Sequence, residues 1–431
     1  MLQTYLKDWR YLLASLFLFL LPFERIPSHD VKGITIRLTS ILIVLFAITV
    51  APQLFLKKEL TPRSKIDWAI LAFYFWGWVS VLYAANRHHA ALVMLLWGFV
   101  LIGYLLVSRL WRQFFNPQAI KQLFVATGVI TALFGLYQFV ANTYFGASST
   151  WTLLSPNYER SILGFARVQS VGVEPLYYGA FLFLPIAFLL VDMVRSKKMP
   201  RTGEALSLII IIAAFVLTVS RGAYLGFIGA IIVLIIALAA KRALVAKQLA
   251  VTVVVLLLGF GLSQALVFAT RYFNPATSPG GVKTEDQFVD HAIASQATAN
   301  SSLNPRLEAM QDAFSIYKKH PILGVGIGNY GVVTTVQKTA QNQYPIVNNQ
   351  YLETLTELGP VGALLFLVML VFVMAKLITV ALRKDEMSWY AVTLIFVALG
   401  IGVQWNFFST IYILLIWVFI GLVDAIPESK Q

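Results

Sequence analysis

Long apolar segments alternate with short polar ones along most of this chain. A membrane-spanning helix needs about 20 apolar residues, and the pattern predicts spans at roughly 11–23, 38–56, 66–84, 90–108, 120–142, 173–194, 204–220, 222–240, 248–270, 361–382, 387–405 and 408–425. The sequence therefore predicts an all-α polytopic membrane protein with about twelve transmembrane helices. No internal repeat or appended soluble domain is evident, so we expect one membrane domain over residues 1–431.

One long polar interruption, residues 271–360, separates the predicted ninth and tenth spans. Within it, Asn304 suits a helix N-cap and Pro305 suits the first helical position. Apolar residues follow at spacings of three and four, namely Leu307, Met310, Phe314 and Tyr317. This pattern predicts a short amphipathic helix, on the membrane surface or against the spans, with Arg306 near its start. Since loops carry function more often than lipid-facing helices, we expect the chemistry here.

Composition and charge support the membrane assignment. Hydrophobic residues make up 58% of the chain and charged residues 12%, whereas soluble domains carry about 25% charged residues. The net charge of +13 resembles that of a nucleic-acid-binding protein, but the basic clusters lie at every second junction between spans, as cytoplasmic loops require. This argues against a nucleic-acid partner. It also places both termini in the cytoplasm and the 271–360 loop on the outer side, away from nucleotides.

Arg221 is the strongest candidate for a residue that binds substrate or takes part in catalysis. It lies in Ser220-Arg221-Gly222, between two apolar segments that leave almost no room for a loop. An arginine so close to hydrocarbon either snorkels from an ordinary helix end or faces a partner. In the second case its planar guanidinium suits a phosphate. Arg167, which precedes Gly172-Val173-Glu174-Pro175 near the sixth span, and Arg306 are further candidates, although a lone loop arginine is usually only a solvated charge.

Two motifs in the loop complete the pattern. Gly324, Gly326 and Gly328 lack the surrounding βαβ unit of a dinucleotide-binding loop, so a tight turn is the better interpretation. Asn348-Asn349-Gln350-Tyr351-Leu352-Glu353 follows, closed by Glu357-Leu358-Gly359-Pro360. The order of these motifs, with the Ser-Arg-Gly junction, resembles the O-antigen ligase and polymerase superfamily of the bacterial envelope.

The resemblance implies a glycosyltransferase of the bacterial inner membrane. Its donor would be a polyprenyl-diphosphate-linked oligosaccharide, and its acceptor a glycan or a lipid-linked glycan. Arg221 and Arg306 would stabilise the departing diphosphate, and a single displacement would invert the anomeric carbon. The implied substrate-binding residues are Arg167, Glu174, Asn349 and Tyr351. The resemblance implies no cofactor.

Asn348 departs from the superfamily pattern, which has a histidine at this point. Asparagine takes up no proton at neutral pH and only orients a hydroxyl. Either Asn348 orients the acceptor, or another group is the base, and Glu174 and Glu353 are the nearest carboxylates along the motifs. The departure favours a polymerase slightly over a ligase, whose acceptor would be the lipid A core.

Other functional classes fit the sequence less well. Five histidines include no HExxH motif and accompany no Asp-rich cluster, so no metal site is predicted. A flippase or other transporter for the same lipid would also need external arginines. Such transporters carry ionisable residues within their spans and repeated halves, and neither pattern is evident. A non-catalytic partner of a glycan-assembly complex is the third alternative, because Asn348 replaces the histidine.

Overall fold

The computed structural model describes residues 8–25, 28–31, 34–58, 60–159, 164–196, 199–243, 245–273, 304–335 and 344–427. Residues 274–303 and 336–343 of the predicted loop lie outside this set. The described helices are α1 (Trp9–Phe19), α2 (Leu38–Leu56), α3 (Lys65–Val81), α4 (Arg87–Phe114), α5 (Pro117–Phe145), α6 (Ser149–Thr152), α7 (Pro175–Arg195), α8 (Thr202–Leu217), α9 (Arg221–Ala240), α10 (Ala246–Phe273), α11 (Asn304–Lys319), α12 (Tyr330–Val333), α13 (Gln350–Ala381), α14 (Glu386–Gln404) and α15 (Leu414–Asp424).

The helical class predicted from the sequence is confirmed. Within the described residues, eight helices are long and apolar enough to cross a membrane, and three further apolar helices, α1, α8 and α15, are shorter. Every predicted span overlaps one of the helices given above. The protein is therefore a polytopic helical membrane protein. The number of twelve spans and the outer position of the loop stay predictions.

A short β-hairpin, absent from the sequence prediction, lies between α1 and α2. Strand β1 (Ser28–Val31) pairs with β2 (Ile34–Arg37) in antiparallel register, with Ser28 opposite Arg37. Helix α2 begins directly after Arg37. The hairpin therefore fixes Arg37 at the point where the strand turns into an apolar helix.

The described chain divides into two compact units. The first contains the described residues within Met1–Phe46, Phe115–Ala297 and Val392–Ile401, and the second those within Ala47–Phe114, Thr298–Ala391 and Gly402–Gln431. In the first unit, α8 packs against α5, α7 and α10. In the second, α13 packs against α3, and α15 against α4. The single membrane domain over residues 1–431 stays a prediction.

The amphipathic helix predicted in the loop is confirmed as α11. Ala313 and Ile316 pack in a cluster with Val325, Tyr330 and Val347. By contrast, the side chains of Leu307 and Phe314 are 51% and 47% exposed. Ala313 lies against α13, where its carbonyl accepts the Thr356 hydroxyl at 3.3 Å. The spacing of the apolar residues does not by itself predict this contact. Thr356 precedes the predicted span that starts at residue 361, so the location of α11 on the membrane surface or against the spans stays a prediction.

Helix α13 consists of two helical segments joined at Gly359. The φ angle of Gly359 is +66°, and a Cβ atom there would lie 2.4 Å from the carbonyl oxygen of Ile322. Only glycine combines this conformation with so close an approach. Pro360 begins the second segment, which coincides with the predicted span from residue 361. The first segment, Gln350 to Leu358, instead carries polar side chains that hold loops.

A buried ionic cluster joins four helices of the second unit, α3, α4, α13 and α15. The Arg109 guanidinium lies 2.6 Å from Asp67 Oδ1 and 3.5 Å from Asp424 Oδ2, and all three side chains are at most 4% exposed. The Tyr104 hydroxyl lies 2.6 Å from Asp67 Oδ1. Lys376 Nζ lies 3.3 Å from Asp424 Oδ1. A buried charge without its partner is strongly unfavourable, so the four charges depend on one another.

We predict that Asp67→Asn destabilises the protein by about 3–5 kcal/mol, because Arg109 loses the nearer of its two carboxylates. The thermal denaturation temperature in detergent measures the loss. Asp385→Asn is the matched control, since Asp385 is exposed and its Oδ1 only accepts the Ser388 amide at 3.1 Å, which asparagine also does. Equal denaturation temperatures for the two variants would contradict the prediction.

Candidate functional site

Arg221 is the first residue of α9 and follows a sharp turn. The φ angle of Val219 is +49°, an uncommon conformation for a β-branched residue, and it lets the chain reverse between α8 and α9. Ser220 is the N-cap residue, but its side chain makes no capping hydrogen bond. The half-buried Arg221 side chain therefore starts from a helix N-terminus whose amides are not capped by Ser220. Such an N-terminus carries a partial positive charge.

Arg167 holds the turn before Arg221. Its Nε donates to the Thr218 carbonyl at 3.1 Å, and its Nη2 donates to the Val219 carbonyl at 3.0 Å. The guanidinium carbon also lies 5.4 Å from the centre of the Tyr158 ring. Two of the donors of Arg167 are thus directed at backbone rather than at an open site. The structure gives Arg167 a positioning role, and the predicted contact with substrate stays a prediction.

The segment after Arg167 is fixed by Gln138, a buried residue of α5. Gln138 Nε2 donates to the Ser170 carbonyl at 2.9 Å, and the Ser170 amide donates to Gln138 Oε1 at 2.7 Å. Ser170 has a φ angle of +52°. Glu174 follows as the half-buried N-cap residue of α7, with no capping bond from its side chain. The sequence alone does not indicate a role for Gln138, because one glutamine in an apolar helix carries no motif.

Asn348 and Asn349 form the turn into α13. Asn348 has a φ angle of +59°, the left-handed region that asparagine tolerates better than most residues. Its Nδ2 donates to the Ile346 carbonyl at 3.2 Å. Asn349 is the N-cap residue, and its Oδ1 accepts the Leu352 amide at 2.9 Å. Both asparagines therefore stabilise the turn into α13, in addition to any role in substrate binding.

Tyr351 and Arg306 also belong to the second unit. The Tyr351 hydroxyl donates to the Gly402 carbonyl at 2.8 Å, and its ring packs edge-on against Trp405. These two contacts give Tyr351 a structural role. Arg306 lies half-buried in the first turn of α11, where the sequence predicted it. Substrate contact by either residue stays a prediction.

Glu353 and Glu357 project from the first segment of α13 and accept hydrogen bonds from loops. Glu353 Oε2 accepts the Val347 amide at 3.0 Å and the Ser409 hydroxyl at 2.8 Å. Glu357 Oε2 accepts the Gly328 amide at 2.8 Å, and its Oε1 accepts the Tyr330 amide at 3.0 Å. Both carboxyls are buried. As a candidate base, Glu353 is thus already engaged in holding the turn before α13.

The glycine-rich segment is a tight turn, as the sequence predicted. Gly326 has a φ angle of +93°, and a Cβ atom there would lie 2.4 Å from the Cβ of Ala84. The Gly326 amide donates to the Glu357 carbonyl at 2.8 Å. The segment therefore packs closely on α13, and the predicted role of these glycines is confirmed.

The predicted residues fall into two groups. Arg167, Glu174 and Arg221 lie in the first unit, where Arg167 directly supports the turn before Arg221. Arg306, Asn348, Asn349 and Tyr351 lie in the second unit, the last three around the start of α13. Among the described residues, no group of three or more histidine, aspartate or glutamate side chains is arranged to hold a metal ion.

A known protein family matches the part of the chain that contains several of these residues. The protein family described as O-antigen ligase matches residues 206–367, which is less than half of the chain. The matched region runs from α8 through Arg221, Arg306 and Asn348 into the second segment of α13. The resemblance to the O-antigen ligase and polymerase superfamily is confirmed over these residues, and it supports membrane glycan transfer. No curated protein matches the chain.

We predict that Glu357→Gln loosens the turn at residues 324–330, whereas Glu353→Gln has a smaller local effect. Each oxygen of Glu357 accepts one backbone amide, so the glutamine NH₂ group would face an amide donor. At Glu353 a single oxygen accepts both bonds, and glutamine keeps one such oxygen. Faster hydrogen exchange of the Gly328 and Tyr330 amides in Glu357→Gln is the expected result. Similar exchange at these amides in both variants would refute it.

Proposed function

We propose that this protein is a glycosyltransferase of the bacterial inner membrane. It joins a polyprenyl-diphosphate-linked oligosaccharide to an acceptor glycan on the outer face, and the acceptor is another lipid-linked unit, so the enzyme is a polymerase. The match of residues 206–367 to the O-antigen ligase family supports the reaction class. The observation that carries the proposal is the placement of Arg221 at a helix N-terminus that Ser220 leaves uncapped.

Arg221 and the start of α9 together suit a diphosphate. The amides of a first helical turn point outwards and favour anions. A guanidinium adds two parallel donors that match phosphate oxygens. Because Arg167 donates to the carbonyls of Thr218 and Val219, the turn that presents Arg221 is held in place before substrate arrives. Preorganised charge of this kind is usually the largest catalytic contribution.

The reaction we propose is a single displacement. The oxygen of an acceptor hydroxyl forms a bond to the anomeric carbon of the donor while the bond from that carbon to the diphosphate oxygen breaks. The electron pair leaves with the lipid diphosphate, and the hydroxyl proton passes to a base or to water. The configuration at the anomeric carbon inverts. Arg221 and Arg306 stabilise the charge of the diphosphate, so neither a nucleotide nor a metal is required.

Asn348 takes the place of a base in this scheme by orienting the acceptor hydroxyl. Its side chain is partly exposed at the turn before α13. An amide both donates and accepts hydrogen bonds, as a sugar hydroxyl does. The support for this role is the position of Asn348 in the motif, together with the engagement of Glu353 by Val347 and Ser409.

We predict that Arg221→Ala lowers glycan transfer by about 10²–10³-fold, the loss typical of removing one preorganised donor. Arg221→Lys should restore little, because lysine keeps the charge without the two-pronged geometry. The assay uses purified protein with the polyprenyl-diphosphate-linked repeat unit alone, in EDTA and without nucleotide, and measures chain length.

The control for this assay is Arg201→Ala. Arg201 is exposed and lies just before the N-terminal end of α8, whereas Arg221 follows the C-terminal end. Longer chains from wild-type protein support the polymerase. Product that forms only after lipid A core is added identifies a ligase instead. Near-normal transfer by Arg221→Ala at equal protein levels excludes the diphosphate contact. Activity that one specific metal restores after EDTA would disprove metal independence.

Three substitutions at Asn348 distinguish a role in orienting the acceptor from a role in the turn. Asn348→Gly keeps the left-handed turn and removes the side chain, so we predict a loss of about 1–3 kcal/mol in transition-state stabilisation, measured as kcat/KM. Asn348→Ala should lose more, because the turn is also strained. Asn348→His should retain transfer and acquire a pH dependence near 6.5. Full activity of Asn348→Gly would show that the turn alone matters.

A further inference from the structure

Glu24 lies on the turn after α1, which docks on the segment leading to α7. The Arg25 amide donates to the Val171 carbonyl at 3.1 Å. The half-buried Glu24 carboxyl accepts the Val173 amide. Val173 immediately precedes Glu174, the N-cap residue of α7. Glu24 is therefore held beside Glu174, within the same unit as Arg167 and Arg221.

The start of α2 lies against the turn after α1, because the Thr39 hydroxyl donates to the Phe23 carbonyl at 3.2 Å. This contact places Arg37, the last residue of β2, near Glu24. Its positive charge is among the influences on the Glu24 carboxyl. The Nε atom of Arg37 is buried and hydrogen-bonds to no group within the described part of the chain. A buried N–H donor without an acceptor is unfavourable, and native structures rarely leave one unpaired. An unpaired donor in the neighbourhood of a carboxyl points to a ligand that supplies an oxygen.

The surrounding charges select the kind of ligand. Two carboxyls, Glu24 and Glu174, accompany the single Arg37 guanidinium, while the neighbouring Arg25 directs Nη1 to Gln169 Oε1 at 3.1 Å. A phosphate would be repelled by the two carboxyls. A neutral hydroxyl, by contrast, accepts a hydrogen bond from Arg37 and donates one to Glu24 at the same time. Sugars present such hydroxyls.

We propose that Arg37 and Glu24 form a subsite for sugar hydroxyl groups of the glycan substrate, beside Glu174 at the start of α7. This inference rests on the proposed glycan transfer, which supplies the ligand. It assigns the subsite to the neutral oligosaccharide rather than to the diphosphate. Arg37 and Glu24 are positioning residues in this scheme, and neither takes part in bond breaking.

The subsite carries its own pH signature. Burial raises the pKa of Glu24 to about 7, Glu174 adds to that rise, and Arg37 and the Val173 amide oppose it. Below this pKa the carboxyl is neutral, and above it the carboxylate accepts a hydrogen bond more strongly. The affinity for the glycan should therefore rise as the pH increases from 6 to 8.

The experiment uses the full chain purified in lipid nanodiscs. The probe is the free repeat-unit oligosaccharide, released from its lipid by mild acid, and calorimetry measures its binding at pH 6, 7 and 8. Arg37→Met should weaken binding by about tenfold to a hundredfold, the range for a hydrogen bond to a charged group. Glu24→Gln should bind weakly and without pH dependence between 6 and 8. Arg201→Met, at an exposed arginine, is the control and should bind like wild type.

Steady-state transfer by the same variants separates this inference from the proposed reaction. The expected result is a raised KM with kcat close to wild type for Arg37→Met, since no bond-breaking step is affected. Wild-type affinity and KM in both Arg37→Met and Glu24→Gln would overturn the subsite, even if transfer occurs. Binding that depends on Arg37 without any transfer would retain the subsite and overturn the reaction. Equal losses in Arg201→Met would also overturn the subsite.

Discussion

The segments that carry the candidate chemistry depend on side chains that hydrogen-bond the backbone where it leaves a helix. An apolar surrounding offers no water to backbone N–H and C=O groups, so these groups need partners within the protein. Arg167 supplies donors for the carbonyls of Thr218 and Val219. Glu357 supplies acceptors for the amides of Gly328 and Tyr330. Arg167 thus fixes the turn before Arg221, and Glu357 fixes the segment from Gly328 to Tyr330 against α13.

This requirement gives several polar residues two possible functions. Asn349 caps α13, and Tyr351 donates to the Gly402 carbonyl, so both have a structural reason at positions where a resemblance implies substrate binding. Arg167 likewise supports a turn. Arg221 begins a helix whose N-cap residue, Ser220, makes no side-chain capping bond. A helix N-terminus favours an anion, and this position is the reason for proposing chemistry at Arg221.

The first unit contains two different charge environments. Arg221 lies at a helix N-terminus that favours phosphate oxygens. Glu24 and Glu174 lie together with Arg37 around the start of α7, where two carboxyls disfavour an anion. The two environments suit the two parts of a lipid-linked glycan, the diphosphate and the neutral sugars.

The sequence by itself determined the helices, because each predicted span is a long apolar run whose backbone has no other way to pair its polar groups in lipid. It also located Arg221, Arg306 and Asn348 within the region that matches the O-antigen ligase family. Tertiary structure decided the buried face of α11, the loop contacts of Glu357, and the grouping of Glu24 with Arg37. These depend on residues far apart in sequence. For instance, Glu24 and Val173 meet only because the turn after α1 docks on the segment before α7. No local pattern encodes such a contact.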